Sequence, residues 1–262
     1  MIKFFRRIRY DLMGKNKTGK YLKYAIGEII LVVIGILIAV QINDWNETRK
    51  VKQGSRVHLQ KMILELETTK VRMEYLTSNV EGKYSFGYSA LDKAVADCDS
   101  LLKLSYAGFT ERDISYILNT PFIGGQASLN IQQAAYEEVK GAGGLNTLGS
   151  EELISAIKAY YSRIQRESEY TDENNLLITR ARHILEDGLG RLQMDYQLDP
   201  TGFDIDNYPW LFDHTSEEYK DLQKGIYITN RWQKDTREKM LAISDLSDSL
   251  IRMIQDELAT RD

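Results

Sequence analysis

The stretch KYAIGEIILVVIGILIAVQINDW, residues 23–45, decides the fold of the N-terminal part of this 262-residue chain. Within residues 25–42 the only ionisable residue is Glu28, and residues 29–40 contain no polar side chain. An α-helix over such a run is about 27 Å long, close to the roughly 30 Å hydrocarbon core of a bilayer. A soluble helix normally keeps one polar face, and a cleaved export signal has a shorter apolar run that ends in small residues. The pattern therefore predicts an uncleaved signal anchor, a single transmembrane helix over residues 24–43.

The charges on the two sides of this helix differ. Residues 1–23 hold eight Lys or Arg and one acidic residue, whereas the rest of the chain holds 26 basic and 37 acidic residues. Close to the span, these eight basic residues compare with four that follow it, Arg49, Lys50, Lys52 and Arg56. The positive-inside rule therefore predicts a cytoplasmic N-terminus, with residues 44–262 outside an inner (plasma) membrane, in the periplasm if the cell has two membranes. An acidic body repels phosphate backbones, so this composition argues against a nucleic-acid partner.

Aromatic and basic residues beside the helix predict how the chain meets the bilayer. Tyr21 and Tyr24 precede the span and Trp45 follows it, at the two interfaces that amphipathic rings favour. The N-terminal segment MIKFFRRIRYDL has an amphipathic helical pattern that suits the anionic inner leaflet, where each nearby Lys or Arg contributes about 1 kcal/mol. Alternatively, its arginines serve only as an orientation signal. The residues predicted to contact the membrane surface are Phe4, Phe5, Arg6, Arg7 and Arg9.

Glu28 is unusual because it is the one ionisable residue within the apolar run, residues 25–42. An intramembrane carboxylate costs a few kcal/mol at mid-bilayer and is by default a functional hypothesis. Glu28 lies about one turn from Tyr24, so its carboxyl group can also reach the cytoplasmic headgroups. Helical spacing places Glu28, Gly35 and Ala39 on one face, and small residues on such a face let membrane helices approach closely. Three roles stay open: helix packing in a homo-oligomer, an interfacial position without a function, and ion or proton chemistry.

Residues 44–262 predict an all-α fold outside the membrane. The chain has three Pro and is rich in helix-forming residues. Short joints between helices predict an antiparallel bundle of four or five. The expected elements are a long helix after the span, helices near 90–104, 113–118 and 130–140, a long helix that Ser150 caps, and a last helix over 216–258.

Two features of this domain carry further expectations. The residues Leu59, Ile63, Leu66 and Met73 follow steps of three or four residues or their sum, as in a coiled coil, and predict a seam that packs on the domain or pairs with other copies. The irregular stretch DPTGFDIDNYPWLF is expected to close one end of the bundle with Phe203, Tyr208, Trp210 and Phe212.

Two parts of the sequence resemble one known family. The first contains Tyr24-Ala25-Ile26-Gly27-Glu28, then LVVIGILIA, Gln41-Ile42-Asn43 and Trp45-Asn46-Glu47. The second is AAYEEVKGAGGLNTLGSEELISAIKAYY, residues 134–161, with a Tyr-Glu-Glu helix, a glycine turn and paired tyrosines. Both parts are similar to the domain-of-unknown-function 6090 family of bacterial single-span membrane proteins. The resemblance implies a membrane anchor and no established activity, so it implies no catalytic residue.

Residue types that usually form catalytic or metal sites are scattered along the sequence. His58, His183 and His214 have no ligand-pair spacing, and no phosphate-binding loop or nucleophile elbow is present. Cys98 lies between two aspartates, which disfavour a thiolate. We therefore expect no enzyme, no metal and no cofactor. The leading hypothesis is a membrane-anchored domain that binds a protein partner or forms a homo-oligomer.

Two other functions remain open. One is a periplasmic sensory domain of the four-helix type, which would need a signalling partner because the cytoplasmic segment is short. The other is an accessory subunit of an ion-driven membrane complex in which Glu28 is the protonatable group.

Overall fold

The computed structural model describes residues 18–78, 90–120 and 126–260, without the side chains of residues 18–21 and of Tyr24. In these residues the chain forms helices and turns with no strand, which confirms the all-α class. The chain divides into two compact units, residues 1–57 and 58–262. Each unit is described by itself below.

Seven α-helices lie in the part of the chain that the structure describes. Their bounds are α1 Thr18–Ser78, α2 Leu91–Ala107, α3 Ile114–Asn119, α4 Ala134–Gly141, α5 Glu151–Leu185, α6 Arg191–Leu198 and α7 Glu217–Ala259. A π-turn, Glu186–Gly190, joins α5 to α6, and short 3-10 turns lie at Glu111–Asp113, Leu145–Thr147, Ile205–Asn207 and Pro209–Phe212.

Local sequence determines where the long helices begin. Ser150 and Ser216 cap α5 and α7, and each serine hydroxyl accepts a hydrogen bond from the backbone N–H three residues on, at 3.3 and 3.1 Å. Two glutamates follow each serine and complement the helix dipole. Helix α4 ends before Gly143, whose φ of +68° is the left-handed conformation that glycine favours. The predicted cap at Ser150 is confirmed.

The second unit contains two apolar cores. Helix α7 runs antiparallel to α5, since Tyr160 pairs with Ser247 whereas Asn174 pairs with Thr236. The first core joins α1, α4, the beginning of α5 and the end of α7, and its largest buried members include Leu59, Met62, Leu66, Met73, Ile157 and Ile164. The second core joins α2, α3, α6 and the other ends of α5 and α7, and includes Leu101, Ile117, Leu185, Leu192 and Ile226.

A polar layer lies between the two cores along α5 and α7. Its buried residues are Glu167, Thr171 and Asn174 of α5 and Thr229, Asn230, Gln233 and Thr236 of α7. These positions interrupt the apolar spacing of both helices, so each core is limited to one part of the bundle. We call these seven residues the polar layer.

The structure differs from the sequence expectations at three places. Helix α4 begins at Ala134 rather than near residue 130. The long helix from Ser150 is broken by the π-turn, where a Cβ added at Gly188 would lie 3.6 Å from the Trp210 ring. At the end of the bundle Leu211 is fully buried, whereas Phe212 is exposed.

Candidate functional site

The apolar part of α1 has no packing partner among the described residues of its unit. Every residue from 29 to 53 is exposed. Among the residues that the structure describes, α1 is the one helix long and apolar enough to cross a membrane. By length and composition, therefore, the first unit suits a membrane anchor.

The three residues predicted for helix packing differ in their surroundings. Gly35 is open: a Cβ added there meets no atom within 4 Å. Ala39 is exposed and Glu28 is half-buried. A small and unobstructed surface at Gly35 and Ala39 is what close helix approach requires. Their role in packing stays a prediction.

The predicted membrane-contacting residues are only partly described. Trp45 is 64% exposed, and the Arg49 guanidinium lies 5.9 Å from the centroid of its ring. This arrangement suits an interface anchor next to headgroups. The side chains of Tyr21 and Tyr24 lie outside the described residues, as do Phe4, Phe5, Arg6, Arg7 and Arg9.

In the second unit, α1 buries one face and exposes another. Leu59, Leu66 and Met73 of the predicted seam are buried in the first core, and Ile63 packs against it. The seam therefore packs on the domain, the first of its two predicted alternatives.

Sequence reasoning missed the opposite face of this helix. Leu64, Val71 and Tyr75 are 64%, 68% and 44% exposed, at spacings of seven and four that place them on one side with Thr68 between them. The spacing was visible in the sequence, but it did not reveal which face is turned outward. We call Leu64, Thr68, Val71 and Tyr75 the outer α1 stripe.

A groove of about 570 Å³ lies beside this stripe. One wall is formed by Thr68, Val71, Arg72 and Tyr75, and the other by residues 130–132. Residues 126–133 form no helix, turn or bend, so the chain runs along the groove without reversing.

Three hydrogen bonds fix the start of this segment. The Asn175 amide donates to the Ala127 carbonyl at 3.1 Å, and the Gln126 amide donates to the Asn175 carbonyl at 3.0 Å. From the other side the Arg72 guanidinium donates to the Ser128 carbonyl at 3.4 Å. The groove wall is thus attached to both α5 and α1.

The tyrosines of the second family-like segment form a buried cluster. The rings of Tyr136 and Tyr161 are stacked with centroids 4.0 Å apart, and Tyr160 meets Tyr161 edge-on. The Tyr160 hydroxyl shares a 2.7 Å hydrogen bond with Ser247, and burial raises the pKa of Tyr160 to about 12. This cluster is part of the first core.

A carboxyl group lies at the edge of the tyrosine cluster. Glu65 accepts a 2.8 Å hydrogen bond from the Ala135 backbone N–H and so fixes the start of α4. Burial, and to a smaller extent the nearby Glu65 charge, raise the pKa of Tyr161. These contacts stabilise the core.

Cys98 is buried, and its surroundings keep it protonated. Burial raises the pKa of its thiol, and the charges of Asp97 and Asp99 raise it further. The thiol lies 3.7 Å from the Gln233 side-chain oxygen. A protonated, inaccessible thiol is a poor nucleophile.

The three histidines lie apart from one another. His58 lies 4.0 Å from a Glu138 oxygen, His183 lies 3.1 Å from Glu186, and the His214 ring lies against Tyr219. In the described ranges, no group of three or more His, Cys, Asp or Glu is arranged to hold a metal ion.

The polar layer is only partly satisfied by hydrogen bonds. The Asn174 amide donates to Asp235 at 2.7 Å and to Thr236 at 3.2 Å. The Thr229 hydroxyl and the Asn230 side-chain carbonyl are buried without a partner. Each such group costs about 1 to 3 kcal/mol of folding free energy.

Comparisons with known proteins identify one family and no characterised relative. Residues 28–116 match the model of a family of unknown function (DUF6090). The match covers α1 from Glu28 to Ser78 and α2, and it confirms the resemblance predicted from the first of the two segments. The second segment, residues 134–161, lies outside the match. Nothing matches among curated proteins or among solved structures.

Proposed function

We propose that this chain, whose residues 28–116 belong to the DUF6090 family, is a non-enzymatic, single-pass protein of the bacterial inner membrane. Its helical bundle lies in the periplasm and binds a partner protein or a second copy of the chain. The observation that carries the proposal is the exposure of every residue from 29 to 53, the part of α1 that holds the apolar run.

The free energy of membrane insertion supports an anchor. Between residues 29 and 42, eleven Ile, Leu and Val side chains are 47–64% exposed. On insertion scales each such residue gains roughly 0.3 to 0.6 kcal/mol at the centre of a membrane helix, so together they gain about 3 to 7 kcal/mol. In water the same surface would promote aggregation.

The charge distribution supports the orientation. The eight basic residues of positions 1–23 precede the span and meet one acidic residue there. Retaining this segment in the cytoplasm puts the bundle on the other side of the membrane.

The surface of the bundle supports binding rather than catalysis. The Cys98 thiol and the tyrosine cluster, which could have supplied reactive groups, are buried in the cores. In contrast, Leu64 and Val71 expose about two thirds of their surface on one helix face. Adjacent apolar residues of this kind mark interaction surfaces.

Photo-crosslinking in the native membrane tests the proposal. A photoreactive amino acid at Leu64, which is 64% exposed, is expected to trap a discrete product from the full-length protein. Leu176 of α5, which is 63% exposed, is the matched control and is expected to trap none. Equal trapping at both positions, or none at Leu64, would contradict a specific binding surface on α1.

A sensory function is the second candidate, and the polar layer favours it. A small polar ligand that hydrogen-bonds to the Thr229 hydroxyl and the Asn230 carbonyl would recover part of their burial cost. Screening of small polar metabolites against the full chain in detergent should then give a rise in melting temperature that Thr229→Val removes. Absence of any such rise argues against this candidate.

A further inference from the structure

We infer that the groove between α1 and residues 126–133 binds an extended peptide segment of the partner protein. The inference rests on the proposed function, because it names the surface and the chemistry through which the bundle would bind another protein. It concerns the wall formed by residues 130–132 and the wall formed by Val71, Arg72 and Tyr75.

Unused backbone groups distinguish this groove from an ordinary apolar patch. Within the part of the chain that the structure describes, the backbone N–H and C=O groups of residues 129–132 make no hydrogen bond. Leu129 is buried and holds the segment to the core, while Asn130 and Gln132 are exposed. A straight segment with unpaired donors and acceptors can pair with another extended chain, as the edge of a sheet does.

These backbone groups determine which partner fits. A helix satisfies its own backbone hydrogen bonds, so the α1 stripe of a second copy offers nothing to residues 129–132. An extended polypeptide presents N–H and C=O groups on alternate sides and can pair with them. The groove therefore fits a strand-like segment rather than a second α1.

The side chains along the groove define the sequence that such a segment would carry. Val71 is 68% exposed and Ile131 is half-buried, so both can cover an apolar side chain. Arg72 is the one charged residue among the described residues that line the groove. It uses one N–H in the bond to Ser128, which leaves donors for a carboxylate. The expected ligand is an extended peptide that carries apolar and acidic side chains.

Selection from a peptide library tests this inference. The probe is a display library of random linear peptides, panned against the full-length protein in lipid nanodiscs. Selected peptides are expected to combine apolar and acidic residues, and Arg72→Glu should weaken their binding about tenfold or more, because it removes a charge-assisted hydrogen bond. Methylation of alternate peptide nitrogens should weaken binding similarly, since it removes main-chain donors. Arg252→Glu, an exposed site on α7, is the control and should leave the affinity unchanged.

A second variant and a second readout separate folding from binding. Val71→Asp alters an exposed side chain, so the bundle should keep its melting temperature while peptide affinity falls. Peptides that bind Arg72→Glu and the wild type equally, or a panning without enrichment, would overturn the groove inference. If Leu64 still traps a product in that case, the proposed function stands without the groove. If Leu64 traps none, both fail.

Discussion

Replacement of Gly35 by isoleucine tests whether the membrane helix associates with another copy. In a single chain a Cβ at this position meets no atom within 4 Å, so the new side chain meets no obstacle there. The helix itself should gain up to about 1 kcal/mol of stability, because glycine is a poor helix former. A close contact with a second helix would instead be overpacked, which costs about 1 to 3 kcal/mol. We therefore expect the self-association constant to fall roughly fivefold to a hundredfold.

The assay is energy transfer between labelled copies in lipid vesicles, measured as the protein is diluted with lipid. Gly27→Ile is the matched control, because Gly27 also has open space around it but lies about a quarter-turn from the face of Gly35 and Ala39. The control should retain wild-type association. An unchanged association constant for Gly35→Ile, or an equal loss for both variants, would refute the helix-packing role of Gly35.

Three further predictions concern the span and the bundle. Glu28→Gln should change self-association by less than about threefold, because polar contacts between membrane helices average about 0.6 kcal/mol; a larger loss in the same assay would make the Glu28 carboxyl group a main determinant of helix packing. Gly225→Ala should lower the free energy of unfolding in denaturant titrations by about 1 to 2 kcal/mol, because the new Cβ would lie 2.6 Å from a carbon of the buried Leu185. Gly54→Ala is the control: its Cβ meets no atom within 4 Å, so it should not destabilise the protein. Tyr160 has a pKa of about 12 in the folded protein against about 10 when unfolded. Its contribution to the free energy of unfolding is therefore present below pH 10 and is lost as the pH rises toward 12, by up to about 1.4 kcal/mol per pH unit. Tyr160→Phe should flatten this dependence of stability on pH.

Local features of the bundle could be predicted from the sequence because local interactions determine them. The caps at Ser150 and Ser216 need only a hydroxyl and the next turn of backbone, and the stop at Gly143 needs only a residue that tolerates positive φ. The start of α4 could not be predicted in this way. It depends on Glu65, a residue 70 positions earlier, which bonds to the N–H of Ala135.

The error at the end of the bundle has a similar origin. The prediction selected Phe212 because it is aromatic, and residue type alone did not show that the 3-10 turn Pro209–Phe212 places Leu211 in the second core. A 3-10 turn has three residues per turn, so neighbouring side chains in it point to different sides.

The candidate interaction surface was only partly accessible to sequence reasoning. The apolar residues of the span are a composition signal, which a single helix displays without tertiary contacts. The outer α1 stripe is different, because both faces of this part of α1 carry apolar residues. The packing of α4, α5 and α7 against Leu59 and Leu66 determines that Leu64 and Val71 are turned outward.

Cysteine labelling tests the central claim, a membrane anchor with the bundle in the periplasm, most directly. The substitution Tyr106→Cys introduces a thiol at a residue that is 79% exposed in the bundle, while the native Cys98 is fully buried and serves as the unreactive control. A membrane-impermeant maleimide is added to bacterial cells whose outer membrane has been opened and whose inner membrane is intact. Rapid labelling of Tyr106→Cys and none of the wild type is the expected result. Labelling that appears only after lysis of the inner membrane would contradict it.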